Sequence, residues 1–211
     1  MSQRLQWSLR HVFWIGGAAC GGKTSTAQGL AHDYSLRVYS CDESYAAHRR
    51  RVDQRRHPHF HRIMHKNSNQ LFMPPAEAQV AELVGFYQEQ FDMVLADVLA
   101  LPRSSPILVE GAGLLPSRVF AVLANAHQAV WLVPTAEFRA TLTRLDDPAV
   151  WELVGATDDP RQAFQNWMRR DVLFAQRIVA EAQALGLQVL VNDGHQTIPQ
   201  RTATVAQHFG W

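Results

Sequence analysis

Three things are scarce in this 211-residue sequence: cysteine, excess charge and long apolar runs. Two cysteines, Cys20 and Cys41, cannot build a disulfide framework or a four-cysteine metal site, so we interpret both as small buried side chains. The formal net charge is +1, so no overall field favours nucleic acid or an anionic membrane. No apolar run approaches the roughly 18 residues of a membrane span, and no signal-peptide pattern is found. These absences predict a cytoplasmic protein with no nucleic-acid or membrane partner.

Apolar residues are plentiful and arranged in two alternating patterns. They make up 47% of the chain, enough for one core, so we expect a single domain over residues 1–211. Short continuous apolar runs, which favour strands covered by helices on both faces, predict five strands: 11–15, 36–43, 106–111, 129–135 and 187–194. Helical periodicity predicts helices over 75–101, 160–185 and 199–209, the second ending at Gly186. This alternation predicts an α/β fold, a three-layer α/β/α domain with a five-stranded parallel sheet and a ligand beyond the carboxyl ends of the strands.

Two segments do not fit the core pattern. Residues 44–75 are rich in His and Arg, and residues 146–161 are acidic and rich in turn-forming residues. We expect both to be mobile segments over the ligand, the first a substrate flap and the second part of a lid that reaches to about residue 170.

A glycine-rich stretch, "FWIGGAACGGKTSTAQGL", separates the first predicted strand from a helical pattern. Gly17, Gly22, Lys23 and Thr24 satisfy the spacing G-x-x-x-x-G-K-[ST] in the strand-to-helix context that this pattern requires. Glycines let successive backbone N–H groups converge on one anion, and the positive end of the following helix adds to the attraction. Lys23 supplies a mobile charge and Thr24 a hydroxyl for a magnesium ion. A glycine turn that merely joins strand to helix has no need of that lysine and threonine.

The stretch resembles the Walker A loop of the P-loop nucleotide-binding proteins, and the layout of the whole chain is similar to that of small P-loop kinases such as adenylate kinase, shikimate kinase and chloramphenicol phosphotransferase. The resemblance implies the fold of P-loop nucleoside triphosphate hydrolases, with ATP and Mg²⁺ as cofactors. It also implies a nucleotide-binding set that comprises Gly17, Ala18, Ala19, Cys20, Gly21, Gly22, Lys23, Thr24 and Ser25.

Carboxylates follow two of the predicted strands. Asp42 and Glu43 come at the end of the second strand, where Asp42 could accept the proton of an attacking hydroxyl and both could hold a substrate. The resemblance implies the same role for Asp42, although it could instead cap the helix that follows. Glu110 ends the third strand and is predicted to hold magnesium, as a Walker B acid does, or to contact substrate. A carboxylate that simply faces solvent is the alternative.

Basic residues and one further loop complete the predicted site. In the resembling kinases a lid brings arginines onto the transferring phosphoryl group, which implies a catalytic role for Arg169 and Arg170 alongside Lys23 and Asp42. Solvated helix arginines, one paired with Asp171, are the alternative. By analogy of layout, residues 193–195 (Asp193, Gly194 and His195) are expected to line the base pocket.

The histidines and arginines of the flap admit more than one interpretation. His61 and His65 have the i, i+4 spacing of zinc ligands, but no cysteine or carboxylate nearby completes a set. We favour a polar substrate flap in which Arg49 contacts the acceptor, while solvated charge explains the composition nearly as well.

These residues predict an ATP- and magnesium-dependent kinase that transfers the γ-phosphate to a small-molecule acceptor, as a monomer or homodimer. The alternative is a nucleotide-binding ATPase or regulatory switch without kinase activity. The absence of an N/T-K-x-D guanine motif and of an Asp-Glu pair after the third strand favours the kinase.

Overall fold

The computed structural model of the chain describes residues 3–211. Five strands form one all-parallel sheet in the order β2-β3-β1-β4-β5. The strands are β1 Val12–Gly17, β2 Arg37–Ser40, β3 Ile107–Glu110, β4 Ala129–Pro134 and β5 Gln188–Asn192. The chain moves to one side of β1 to form β2 and β3 and to the other side to form β4 and β5. Ligands of open α/β sheets bind at such a reversal, beyond the carboxyl end of the strand where it occurs.

Eleven α-helices are found in the described part of the chain. They are α1 Gln3–Ser8, α2 Lys23–Tyr34, α3 Tyr45–Arg49, α4 Pro58–Met64, α5 Ser68–Phe72, α6 Ala76–Ala100, α7 Pro116–Phe120, α8 Ala136–Thr141, α9 Pro148–Val154, α10 Pro160–Ala184 and α11 Ile198–Phe209. A short 3-10 helix, Ala126–Gln128, precedes β4. None of these helices, within residues 3–211, is long and apolar enough to cross a membrane.

The helices cover both faces of the sheet because the side chains of the inner strands alternate between two cores. Trp14 of β1 and Trp131 of β4 face α6 and α10, where they pack with Phe91 and Phe174. The intervening side chains, such as Ile15 and Leu132, face α2 and α11. The predicted α/β class and parallel sheet are therefore confirmed, and the three-layer arrangement is compatible with this packing.

The edge strands and both segments that do not fit the core pattern differ from the sequence expectation. We predicted strands covered on both faces, but Val38 of β2 and Val191 of β5 are exposed. Residues 44–75 contain α3, α4 and α5, and the stretch 146–161, expected to be turn-like, contains α9. Local caps explain the short helices: Asp147 accepts a hydrogen bond from Ala149 N ahead of Pro148, and Asn67 forms a capping box with Gln70. Such helices are too short to show a periodic apolar stripe.

The stop predicted at Gly186 is confirmed. α10 ends at Ala184, and Gly186 adopts the left-handed conformation, with φ +67°, that ends a helix without strain in glycine. Both cysteines are free thiols, Cys41 buried as predicted and Cys20 only partly buried.

Candidate functional site

The glycine loop between β1 and α2 is pressed against the end of β4. A Cβ on Gly17 would lie 1.9 Å from the carbonyl oxygen of Leu132, and one on Gly21 would lie 2.2 Å from the same atom. The amide of Ala18 donates to that carbonyl at 3.2 Å. No larger side chain fits either position, so the glycines are needed for close packing of the loop on the sheet.

This packing leaves a series of backbone donors without partners. Among residues 3–211, no protein acceptor receives the N–H groups of Ala19, Cys20, Gly22, Lys23, Thr24 and Ser25. The last three belong to the first turn of α2, a 12-residue helix whose N-cap, Gly22, offers no side-chain acceptor. Unpaired donors at the positive end of a helix attract an anion, so the loop has the donor set that a phosphate group needs.

Lys23, the first residue of α2, is buried against this loop. Its Nζ donates to the carbonyl of Ala18 at 2.8 Å, and the residue is only 8% exposed. Burial lowers the pKa of the Lys23 ammonium, while the nearby carboxylates of Asp42 and Glu110 act in the opposite direction. The ammonium group and both carboxylates, predicted from separate stretches of sequence, therefore lie within electrostatic reach of each other.

Glu110 faces the loop rather than solvent. It is 1% exposed; its Oε2 accepts a hydrogen bond from Thr24 Oγ1 at 3.2 Å, and its Oε1 accepts one from Ser40 Oγ at 2.7 Å. The contact with Ser40 follows from the register, which pairs Ser40 of β2 with Glu110 of β3. The oxygens of Thr24 and Glu110 form a hard donor set of the kind that suits magnesium. The solvent-facing alternative for Glu110 is therefore not supported.

Asp42 and Glu43 follow β2 at the same edge of the sheet. The N-cap of α3 is Ser44, and within the described chain the Asp42 carboxylate accepts no protein hydrogen bond, so it does not cap the helix. It is exposed and lines a cavity of about 360 Å³. Glu43 lines a neighbouring cavity together with Thr24 and Glu110.

A second cleft opens on the other side of the loop, toward β5. It has a volume of about 430 Å³ and its lining includes Cys20, Gly22, Phe138, Asn192, Gly194 and Arg201. Of the loop predicted to line a base pocket, Gly194 borders this cleft. Asp193 and His195 are exposed and lie outside its lining, with His195 N donating to Asp193 Oδ1.

Arg201 of α11 is a site residue that the sequence reasoning missed. It is 6% exposed; its Nε donates to Thr26 Oγ1 at 3.0 Å and its Nη2 to Ser25 Oγ at 3.3 Å. Its guanidinium packs so closely on Gly22 that a Cβ on that residue would lie 2.7 Å from Arg201 Cζ. An arginine within the apolar face of a predicted amphipathic helix was the available signal, because such a charge needs a partner.

Asn192 and Ser40 were missed as well. Asn192 Nδ2 donates to the carbonyl of Gly21 at 3.3 Å, and Ser40 orients Glu110. Both end a parallel strand next to an anticipated ligand, and that position alone was the signal for them.

The two predicted lid arginines have different surroundings. Arg169 donates to Glu77 of α6, and both side chains are more than half exposed. Arg170 makes two hydrogen bonds to Asp171 Oδ1, whose other oxygen accepts two from the buried Arg139. The partner we expected for Asp171 is thus supplied by α8 as well as by its neighbour. The catalytic role of Arg169 and Arg170 stays a prediction.

The flap residues do not assemble a metal site. His65 Nδ1 contacts the carbonyl of His61 at 2.7 Å, and no group of three or more His, Cys, Asp or Glu in residues 3–211 is arranged to hold a metal ion. Arg49 is exposed, and its guanidinium carbon lies 5.9 Å from the centre of the Tyr45 ring.

A comparison with protein-family models finds no match to the chain, and a comparison with curated proteins finds none either.

Proposed function

We propose that the protein is an ATP- and magnesium-dependent phosphotransferase of the P-loop kinase type. The observation that supports this best is the meeting of Thr24, Glu110 and Lys23 around a loop with unpaired backbone donors. A structural turn has no use for a buried ammonium group and a buried carboxylate at the same place, because each carries a desolvation cost.

Each group of residues has a separate proposed role, which follows from its chemistry. The loop amides and Lys23 bind and orient the terminal phosphates of ATP, and Lys23 exchanges its bond to the Ala18 carbonyl for one to a phosphate oxygen. Thr24 and Glu110 hold magnesium, which neutralises charge on the phosphates when bound. Asp42 has a free carboxylate at the mouth of the adjoining cavity, where it accepts the proton of the acceptor hydroxyl.

The donor half of the proposal is tested by ATP binding. Calorimetry with Mg-ATP on wild type, Lys23→Met and Lys66→Met separates a site lysine from a flap lysine that pairs with Glu82. We expect Lys23→Met to weaken binding by about tenfold or more, since a charge-assisted contact contributes about 1.5–3 kcal/mol. The Lys66→Met control should bind as wild type does. Equal binding by all three proteins would contradict the proposed role of the loop.

The transfer half is tested with a panel of small alcohols and Mg-ATP, scored by mass spectrometry of phosphorylated product. Asp42→Asn should slow transfer by about 10²–10⁴-fold, the usual contribution of a general base, while leaving Mg-ATP affinity nearly unchanged. ATP hydrolysis that is insensitive to every acceptor and to Asp42→Asn would instead favour the alternative, an ATPase or nucleotide-dependent switch.

A further inference from the structure

The cavity in front of Asp42 has mostly apolar walls. We call it the acceptor cavity; its lining is Asp42, Tyr45, Ile63, Leu83, Phe86, Tyr87 and Gln90, and its volume is about 360 Å³. Tyr45 stacks on Phe60 with ring centres 5.5 Å apart, and Phe86 packs edge-on against Phe60 at 4.6 Å. These contacts hold the aromatic wall in place, so the cavity is shaped before anything binds.

The acceptor cavity contains no cation, although the flap above it is rich in arginine. Asp42 is the only charged residue in its lining. Two of the flap cations are paired on α6, Arg51 with Asp97 and Lys66 with Glu82. Arg49 lies over the ring of Tyr45 but is not part of the lining. Arg170 lies near Tyr87 but already makes two hydrogen bonds to Asp171. An anionic molecule in the cavity would therefore meet the Asp42 carboxylate, and no lining side chain among residues 3–211 carries an opposite charge; Lys23 interacts with Asp42 from outside the lining, where we propose that it binds the phosphates.

The polar lining residues of the cavity are Asp42, Gln90 and the two tyrosines. Gln90 Nε2 faces the carbonyl of Cys41 at 3.5 Å and His48 Nδ1 at 3.4 Å. Because the partner at Cys41 is an acceptor, the NH₂ group must face it, which directs Oε1 to the opposite side. There, a Cβ on Gly113 would be 3.1 Å from Gln90 Oε1 and 2.8 Å from the Tyr87 ring. The polar atom that the cavity offers to a hydroxyl donor is therefore the Asp42 carboxylate, while Gln90 Oε1 lies beside Gly113.

A buried histidine fixes that orientation. His48 is fully buried, and its Nε2 contacts Asp97 Oδ2 at 3.0 Å. With the Nε2 proton donated to Asp97, Nδ1 is left as an acceptor for the Gln90 amide. The chain Asp97–His48–Gln90 therefore determines which end of the Gln90 amide faces Cys41 and holds this lining residue in place.

We infer that the phosphoryl acceptor is an uncharged alcohol with an aromatic or other apolar body, and not a phosphate ester or carboxylic acid. The inference rests on the proposed phosphotransferase function. The apolar body lies against Tyr45, Phe86 and Leu83, and the reacting hydroxyl donates to Asp42. In the transfer step the acceptor oxygen forms a bond to the γ-phosphorus as the bond to the ADP oxygen breaks, and Asp42 takes the hydroxyl proton.

A matched pair of probes tests the charge preference without nucleotide. Benzyl alcohol and para-hydroxymethylbenzoate share the ring and the hydroxyl and differ in one carboxylate. Ligand-observed NMR titration of each gives their relative affinity for the full chain. With the hydroxyl of the probe on Asp42, its para carboxylate lies about 9 Å from the Asp42 charge, and at an effective dielectric constant of about 20 this repulsion leads us to expect that the alcohol binds about tenfold tighter.

A cation placed in the cavity should reverse the preference. Ile63→Arg, at a partly buried lining position, should raise the affinity for the carboxylate relative to the alcohol by about tenfold. Gln54→Arg is the matched control, because it adds the same charge to an exposed flap position outside the lining. Leu83→Lys provides a second cavity variant if Ile63→Arg does not fold.

The outcomes separate this inference from the proposed function. Preference for the neutral probe in wild type, lost in the cavity variant and kept in the Gln54→Arg control, supports the inference even if no phosphate is transferred, in which case only the proposed function fails. Stronger binding of the carboxylate by wild type overturns the inference, as does failure of benzyl alcohol to bind at millimolar concentration. Phosphate transfer confined to anionic acceptors overturns it while the kinase function stands.

Discussion

Removal of Asp171 should destabilise the protein far more than removal of a neighbouring exposed ion-pair residue. Asp171 is 8% exposed in α10 and accepts four hydrogen bonds, two from Arg139 at 3.3 and 2.7 Å and two from Arg170 at 3.0 and 2.7 Å. Asp171→Ala leaves two guanidinium groups close together, and that of Arg139 is buried and unpaired. Loss of one partner from a buried ion pair costs about 3–5 kcal/mol.

The assay is unfolding by urea and by heat. For a chain of this size the loss corresponds to a Tm lower by about 6–20 °C, because each kcal/mol shifts Tm by about 2–4 °C. Arg169→Ala is the control, since its bond to Glu77 joins two exposed side chains and contributes less than about 1 kcal/mol. The double variant Arg139→Met with Asp171→Leu should recover much of the loss, because apolar residues can replace a buried pair.

The result that would refute this reasoning is equally specific. If Asp171→Ala and Arg169→Ala shift the urea midpoint equally, burial of the Arg139–Asp171 pair does not explain its contribution to the free energy of unfolding. If the double variant is no more stable than Asp171→Ala, the cost does not come from an unpaired buried charge.

Two further predictions follow from buried polar groups. Burial lowers the pKa of His48 and of His208 below 6.5, so the unfolded chain binds protons more readily; stability should be fully present above about pH 6.5 and fall as the pH drops below it. The His48→Gln variant should show a smaller loss of Tm between about pH 7.5 and 5.5 than wild type, and an equal or larger loss would contradict the assignment. Arg201→Ala should lower stability by about 1–3 kcal/mol, because Ser25 and Thr26 lose their donor. It should also weaken Mg-ATP binding, whereas Gln207→Ala, at an exposed position of the same helix, should change neither.

The sequence was informative where one physical requirement dominates. Continuous apolar runs predicted all five strands to within a few residues. For the three inner strands the reason is burial between two helical layers, a position that tolerates little else. The position of the glycine loop could be predicted because close packing on Leu132 excludes any Cβ at Gly17 and Gly21. The place of Glu110 could be predicted because the residue ends an apolar strand.

What the sequence did not reveal depends on partners distant along the chain. Arg139 and Asp171 are 32 residues apart, and Arg201 and Thr26 are 175 residues apart. The local sequence around each of these residues does not identify its partner. The composition of residues 44–75 favoured a polar substrate flap. In the structure Arg51 and Lys66 are paired on α6, while Tyr45 and Ile63 from the same segment form the cavity wall. Charge in a segment does not predict which way its side chains face.

The charges around the glycine loop also distinguish the two ends of the proposed ATP site. On the β2–β3 side the loop faces three carboxylates, those of Asp42, Glu43 and Glu110, whereas on the β5 side it faces Arg201. An ATP molecule whose triphosphate follows the loop has two possible orientations. If ATP and magnesium bind as we propose, the γ-phosphate lies at the β2–β3 side, where carboxylates can hold magnesium and accept the proton of the acceptor hydroxyl. In that orientation the adenine would occupy the cleft lined by Phe138 and Gly194, and the acceptor cavity, lined by Asp42, would lie on the side from which the γ-phosphate can be attacked.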